Sequence, residues 1–307
     1  MKLVITGGSG FIGKSVLKVL IACGHNVLCL TRSWPVSALD EVNYHVCDIV
    51  EPDTFLEKVK MFEPDAFVYL AWHGIPEFTL INSLININIA ISFFETIIAN
   101  TCCSKIIVAG SNKEYGNEIG DLREDQICTV IDNFSWAKHT LRQWLEFRCA
   151  KANIDLTWLR IFFSYGPNQR NAALLPTLFS SLINGKLPKI RSLYNKDDYI
   201  FVGDVARAFG NVLNTTKSAG IYNIGCSKSV YVWEVCKIAE YLMLSSNLLT
   251  DELLSSSTHQ STTDSWANIN KAKSVLDWVP RVSLVDGIAM TLESYLAGSS
   301  SIKKVSP

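Results

Sequence analysis

Residues 4–13 read VITGGSGFIG: a short apolar run that breaks into four glycines, Gly7, Gly8, Gly10 and Gly13. The run before them, KLVIT (2–6), has the β-branched and aliphatic character of a buried strand. The run after them, FIGKSVLKVLIACG (11–24), spaces its apolar residues as a helix does and ends on Gly24. The spacing therefore predicts a strand, a tight turn and a helix within the first 24 residues. A side chain at Gly10 would obstruct the approach of a pyrophosphate to the turn, and the exposed N–H groups of the helix start favour negative charge there. Gly7, Gly10, Phe11, Ile12 and Gly13 are accordingly expected to form the phosphate end of a dinucleotide site.

The pattern continues outward from this loop. Apolar strands are expected at 26–31, 43–48, 65–71, 105–110 and 155–161, separated by helices at 52–62, 79–100 and around Lys138. Apolar strands alternating with helices predict an α/β fold: a doubly wound parallel sheet of the Rossmann type with helices on both faces. Beyond about residue 162 the pattern is less regular, with helices expected at 173–184, 204–214, 231–243 and 283–297 and short strands near 198–202 and 222–225. This reads as a dinucleotide-binding domain over 1–161, joined by parts of 198–220, and a smaller, partly interleaved substrate domain over 162–307. The serine-rich stretch 254–265 is expected to be a loop, and residues 297–307 a frayed tail.

Composition narrows the class. The chain has 307 residues, 48% of them hydrophobic and 19% charged, which suits a large buried core and argues against disorder. A net charge of −1 gives no electrostatic reason to expect nucleic acid or an anionic membrane as partner. The nine cysteines form no CxxC pair and no Cys/His spacing suited to zinc. No metal is expected, and reduced thiols in a cytoplasmic protein are. The N-terminus enters a strand at once, with no signal-peptide pattern, and no apolar run looks long enough to span a bilayer.

The end of the second strand bears on the choice of cofactor. An Asp or Glu there would bond the ribose 2′-hydroxyl of NAD. This chain reads CLTRSW, with Thr31 and Arg32 and no acid. A guanidinium can pair with a 2′-phosphate, so NADP(H) is favoured and NAD(H) stays open. Asp48 suits a hydrogen bond to the adenine amino group. Ile49, Leu70 and Ala71 would line the same cleft.

These and later segments resemble the extended short-chain dehydrogenase/reductases, specifically their nucleotide-sugar epimerase, dehydratase and ketoreductase group. TGGSGFIG resembles that family's TGGxGxxG, and AGSNKEYG (109–116) its Ser-x-x-x-Tyr-Gly segment. LRIFFSYGPNQR (159–170), DDYIFVGDVARAF (197–209) and NINKAKSVLDWVP (268–280) resemble three further family segments, in the family's order. The resemblance covers nearly the whole chain. It implies catalysis by a Ser, a Tyr and a Lys four residues after the Tyr, with the Tyr moving a proton at a sugar hydroxyl or ketone and the Lys lowering that Tyr's pKa and holding the nicotinamide ribose of the cofactor. Ser111 and Lys138 match. The tyrosine position holds Phe134, which has no proton to give. Two arginines that the family often places on a substrate diphosphate are also missing, one of them replaced by Asp197, and Phe163 replaces the Asn of R-x-F-N.

Three readings follow. An NADPH-dependent reductase of a 4-keto-6-deoxy sugar nucleotide could draw its proton from Ser111, from a water held by Lys138, or from Tyr115 or Tyr165. The resemblance would place it in surface-polysaccharide or deoxysugar synthesis. An NAD-dependent epimerase or dehydratase must begin by oxidising an alcohol, which needs a base, and Phe134 weighs against it. A catalytically impaired cofactor-binding protein would have little chemical need for Ser111 and Lys138 together. For the substrate, Trp72 and His73 at the end of a strand either stack on a ligand or pack the loop. Ser111, Asn112, Tyr165 and Arg170 complete the substrate list, although packing is the plainer role for Tyr115 and Tyr165. Solvent exposure is the plainer state for Lys113 and Arg170. His139 points away from the face of Lys138. The resemblance also implies a homodimer built on the 79–100 helix and the helix of Lys138.

Overall fold

The computed structural model describes residues 1–185, 190, 192–256 and 263–302. Strand β1 (Lys2–Thr6) turns Leu3 and Ile5 into one hydrophobic core and Val4 into another. A strand with apolar residues on both of its faces needs cover on both sides, and the helices supply it. Helix α1 (Phe11–Ala22) follows, then β2 (Asn26–Thr31) and β3 (Val42–Val46). Helix α2 (Leu56–Phe62), β4 (Ala66–Tyr69), the long α3 (Leu80–Asn100) and β5 (Lys105–Ser111) complete the first half. After a short strand β6 (Gly120–Leu122) come α4 (Asn133–Ala152) and β7 (Asp155–Ile161).

The chain then leaves the main sheet through β8 (Phe163–Tyr165), α5 (Leu174–Ile183), β9 (Lys196–Asp197) and β10 (Tyr199–Phe201). It returns with α6 (Val202–Asn214), which packs on α1, and β11 (Gly220–Ile224), which pairs with β7. The remainder is β12 (Val230–Tyr231), α7 (Val232–Leu244), α8 (Leu248–Ser256), β13 (Ser265–Ala267), α9 (Asn270–Leu276) and α10 (Leu284–Ile302). The main sheet is parallel, in the order β3-β2-β1-β4-β5-β7-β11. Strand order reverses between β1 and β4, and the crevice beyond the carboxyl ends of those two strands is where such sheets bind ligands.

One core joins the sheet to α1, α6 and α9 through residues such as Val16, Phe209 and Leu276. The second joins it to α2, α3 and α4 through Val59, Phe93, Phe94 and Leu145. A third, built from Tyr165, Phe179, Phe201, Val235 and Ile288, holds the smaller lobe together. Two buried carboxylates close the lobe onto the sheet. Asp198 accepts N–H groups from Cys226 (2.6 Å), Ser227 (3.1 Å) and Ala267 (3.0 Å). Asp204 accepts those of Arg281 (2.9 Å) and Val282 (3.0 Å) and pairs with Arg207.

Several elements depart from the sequence reading. The strands β6, β8 and β13 have three residues each, too few to show a period. Helix α8 runs to Ser256 and β13 begins at Ser265, so both ends of the expected 254–265 loop are regular structure. Residues 257–262 of that stretch lie outside the described ones. Helix α10 continues to Ile302, six residues into the expected tail, and 303–307 lie outside. Helix α3 corrects a further expectation. It has 21 residues and a mean hydropathy of 1.5, enough by length and composition to cross a membrane. Its inner face is nevertheless spent on the second core, and Glu95 is bound bidentately by Arg148 of α4 at 2.6 Å through both oxygens.

Phe93 carries much of that helix's contact, with ring neighbours Phe55, Phe67, Tyr69 and Phe94 at 5.4, 6.2, 5.7 and 5.6 Å. Phe93→Ala should cost about 3–5 kcal/mol, the range for emptying a buried phenyl site. Urea unfolding should show the midpoint fall by about 1 M or more. An unchanged midpoint would mean that α3 is held by other contacts.

Candidate active site

The glycine loop fits a dinucleotide because of what surrounds each glycine. Gly7 has φ of +73°, and a Cβ there would lie 2.7 Å from the Leu70–Ala71 backbone. Gly10 N donates to Gly7 O at 3.0 Å and closes the turn. A Cβ on Gly13 would fall on the Gly7 carbonyl, so glycine is what lets α1 start directly beneath the loop. Helix α1 has Gly10 as its N-cap, no side-chain capping bond and no acid in its first turn. The N–H groups of Phe11, Ile12 and Gly13 thus have no partner within the helix and can serve an anion. The Ile12 side chain packs on the core, so its part in the site is its backbone.

A cavity of about 360 Å³ opens beside this loop. Gly7 and Gly10 line it from the loop, Thr31 and Arg32 from the end of β2, and Asp48 and Ile49 from the end of β3. Leu70, Ala71, Trp72 and His73 line it from the end of β4. The Thr31 hydroxyl donates to Ser33 O at 2.9 Å, so it holds its own turn. Arg32 is exposed, with no ion pair among the described residues. Asp48 Oδ1 accepts the Val50 N–H at 3.0 Å, which leaves its second oxygen for a ligand. A phosphate-ready helix start, an unpaired guanidinium and a carboxylate along one cleft suit a nicotinamide dinucleotide.

The residues of the expected catalytic group lie on β5 and α4. Helix α4 is capped by Asp132, whose carboxylate accepts Ser135 N–H at 2.7 Å and pairs with Lys113 at 3.5 Å. Phe134, in the first turn, is 7% exposed. Its ring lies 5.5 Å from that of Trp72, edge-on, and 4.6 Å from that of Phe78. Position 134 is therefore part of an aromatic cluster. One turn on, Lys138 Nζ donates to Ala109 O at 2.8 Å and sits over the Trp72 ring, 3.8 Å from its centroid. Ser111 lies two residues beyond Ala109 on β5, and its hydroxyl accepts the Lys113 N–H at 3.2 Å. Asn112 starts the single 3-10 turn that follows and is half-buried.

Beneath them lies a buried charge cluster that the sequence reading missed. Glu114, 0% exposed, accepts Ser111 N–H at 3.0 Å and Trp158 Nε1–H at 2.8 Å on one oxygen. Its other oxygen faces Arg160 Nε at 3.3 Å and Arg142 Nε at 3.6 Å. The Ser111-x-x-Glu114 spacing is that of a capping box and was the available signal. Asn86 was also missed. It is buried on α3 and bonds both the N–H (2.6 Å) and the C=O (2.9 Å) of His73, which fixes the Trp72 loop.

The structure corrects other candidates. Tyr165 is 3% exposed, packs on Tyr199 and Phe201, and donates to Leu284 O at 3.4 Å, so it belongs to the lobe's core and not to a substrate surface. Tyr115 is fully buried and donates to Asn223 Oδ1 at 2.8 Å. Burial pushes its phenol up to about 12, and neither tyrosine is placed to replace the missing acid. Arg170 is exposed and does not line the cavity. Lys113 is held by Asp132 and lies 5.0 Å from the Phe78 ring centroid. Glu114, Cys128 and His139 bring possible metal-ligand atoms within 4.8 Å of one another. Arg160 donates to Cys128 Sγ, and Arg142 reaches both Glu114 and His139. Two guanidiniums in that position oppose a cation.

Burial pushes the Lys138 amine down to about 7, against the pull of Glu114. Between about pH 7 and the ordinary lysine value of about 10.4, the unfolded chain binds the proton that the folded one has released. Stability then rises with pH across that window, by up to about 1.4 kcal/mol per unit. Urea unfolding of Lys138→Met alongside the native protein should show the native protein gaining relative stability from pH 7 to pH 10. A pH-independent difference would place the amine's folded value near its ordinary one.

Comparison with known proteins agrees with this geometry. The model of the "NAD dependent epimerase/dehydratase family" matches residues 3–225. The dTDP-4-dehydro-6-deoxyglucose reductase of Escherichia coli is 26% identical, over 95% of this chain and 96% of that protein. The dTDP-glucose 4,6-dehydratase of Bacillus anthracis, solved in complex with NAD, superimposes with a TM-score of 0.83 at 18% identity, covering 100% of both chains. The UDP-glucose 4-epimerase of Thermotoga maritima, solved with UDP-glucose, gives 0.82 at 21%, covering 97% of this chain and 100% of that one. With a glycine loop built for a dinucleotide and a family match over most of its length, the chain belongs to the NAD dependent epimerase/dehydratase family and is an enzyme of that class.

Proposed function

We propose that the protein is an NADPH-dependent reductase of a 4-keto-6-deoxy sugar nucleotide. The observation that carries this reading is the aromatic cluster at Phe134, beside a retained Ser111 and Lys138. Epimerisation and dehydration begin by taking a proton from an alcohol, and no phenol is present to take it. Reduction begins from a ketone and needs no base. The reduced nicotinamide, when bound, supplies the hydrogen and two electrons of the reduction. The chain's own task is then to orient the carbonyl, polarise its oxygen and deliver one proton. The Ser111 hydroxyl can donate to that oxygen, while Trp72, Phe78 and Phe134 keep bulk water away. The Escherichia coli reductase supports the substrate class.

The exposed Arg32, with no acid at the end of β2, supports NADP(H) over NAD(H). The apolar residues left exposed on α3 and α4, among them Ile81 (70%), Leu84 (43%) and Phe147 (55%), suit a homodimer that buries them.

NADPH absorbance should fall when the protein meets one member of a panel of 4-keto-6-deoxy nucleotide sugars. Consumption by Phe134→Tyr alone, with the natural protein silent, would mean that the fold binds substrate without performing chemistry. Arg32→Ala should weaken NADPH binding about tenfold or more and leave NADH binding unchanged, as followed by nucleotide fluorescence. That is the magnitude of one lost charge-assisted bond. Equal losses for both nucleotides would remove the case for NADP(H).

A further inference from the structure

We propose that the Lys138 amine itself hands the proton to the carbonyl oxygen of the substrate, directly or through one water, in place of a tyrosine. The inference rests on the reductase reading and deepens it. Its first support is the lack of another acid at the site: Phe134 has no hydroxyl, both family tyrosines are buried and bonded elsewhere, and the Ser111 hydroxyl, an alcohol, can hydrogen-bond the oxygen but is too weak an acid to give up its proton. The second is the geometry of Nζ. An ammonium has three N–H donors. Ala109 O takes one, the Trp72 ring covers one side, and no carboxylate among the described residues lies within ion-pair distance. A lysine held by a carboxylate would keep its proton, whereas this one is held by a carbonyl and a ring.

The charged groups on the surrounding elements are mostly committed to one another. Glu114, on the turn after β5, favours the charged amine, but its carboxylate is shared between Arg160 of β7 and Arg142 of α4. Lys113 on the same turn is paired with Asp132. His139 points along another face of α4 toward Arg142. His73 follows Trp72 and is held through its backbone by Asn86. Burial of the amine itself, opposed by Glu114, pushes it down to about 7, where it can both give up a proton and regain one. In the balanced step, a new C–H bond forms at the carbonyl carbon with a hydride whose C–H bond breaks on the reduced nicotinamide, so that the nicotinamide is oxidised by two electrons and the C=O π bond opens. One Nζ–H bond breaks, the carbonyl oxygen becomes a hydroxyl, and the neutral amine takes a proton back from solvent.

The test reads the amine and the reaction separately. Lysine side chains of the full-length protein are labelled with ¹³C, and the Lys138 signal is assigned by its absence in Lys138→Arg. The signal should titrate near pH 7. In turnover, kcat should fall about tenfold per pH unit above that value. Lys138→Arg keeps the positive charge but cannot release a proton. It should bind NADPH within a few-fold of the native protein, lose at least 100-fold in kcat, and lose the pH break. Phe134→Tyr should move the break to higher pH. An amine titrating above pH 9 in a protein that does turn over would overturn the proton transfer alone, as would a Lys138→Arg protein that keeps its rate and its break. An amine titrating near 7 in a protein that turns over no 4-keto sugar would overturn the reductase reading and the proton transfer with it.

Discussion

The buried carboxylate of Glu114 ties the candidate site together. It receives a backbone N–H from Ser111, an indole N–H from β7, and guanidiniums from β7 and α4. A carboxylate with no exposure is costly to desolvate, and two cations and two N–H donors offset that cost here. The arrangement also fixes distances. With β5, β7 and α4 drawn onto one group, Ala109 stands where Lys138 can reach it, and Ser111 is held by its own backbone. Removing one partner from such a cluster leaves an unpaired charge, typically worth about 3–5 kcal/mol. The frame is therefore far less free to change than the single ring at Phe134.

The frame and the missing phenol make sense together. The cofactor half keeps each feature that phosphate binding demands: the left-handed Gly7, the close approach at Gly13 and the uncapped start of α1. In the catalytic half one hydroxyl is absent, and three aromatic rings pack where it would have been. A ring in an aromatic cluster adds stability that a solvated phenol would not. A lysine beneath Trp72, low in pKa and without a carboxylate partner, is the chemical counterpart of that loss.

Much of this was legible in the residues because it is local. The glycine loop and its flanking strand and helix are set by spacing within a dozen residues, and the apolar runs of the main sheet needed only their own composition. Features set by distant neighbours were not legible. Nothing in the stretch DNFSWAKHT (132–140) that carries Lys138 says that Trp72, some sixty residues earlier, lies over that lysine. Tyr165 matches a family position that lines a site, yet its surroundings in the smaller lobe bury it. The apolar sequence of α3 suits a dimer face, a core helix or a membrane span, and the sheet beneath it decides for the core on its inner face. Strands of three residues carry no period to read. Glu114 did leave a local trace, the Ser-x-x-Glu pattern, but its partners Arg142 and Arg160 become neighbours only once the sheet is assembled.

The proposed reductase reading turns on Phe134, a ring without a hydroxyl beside Ser111 and Lys138. The most direct measurement follows the sugar. The protein is incubated with NAD and UDP- or dTDP-hexoses, and in parallel with NADPH and a dTDP-4-keto-6-deoxyhexose, and the sugar products are resolved by NMR. The account predicts a 6-deoxyhexose with a hydroxyl at C4 from the ketone, and neither an epimer nor a 4-keto sugar from the alcohols. An epimer or a 4-keto sugar formed from the alcohols without net consumption of nicotinamide would contradict it.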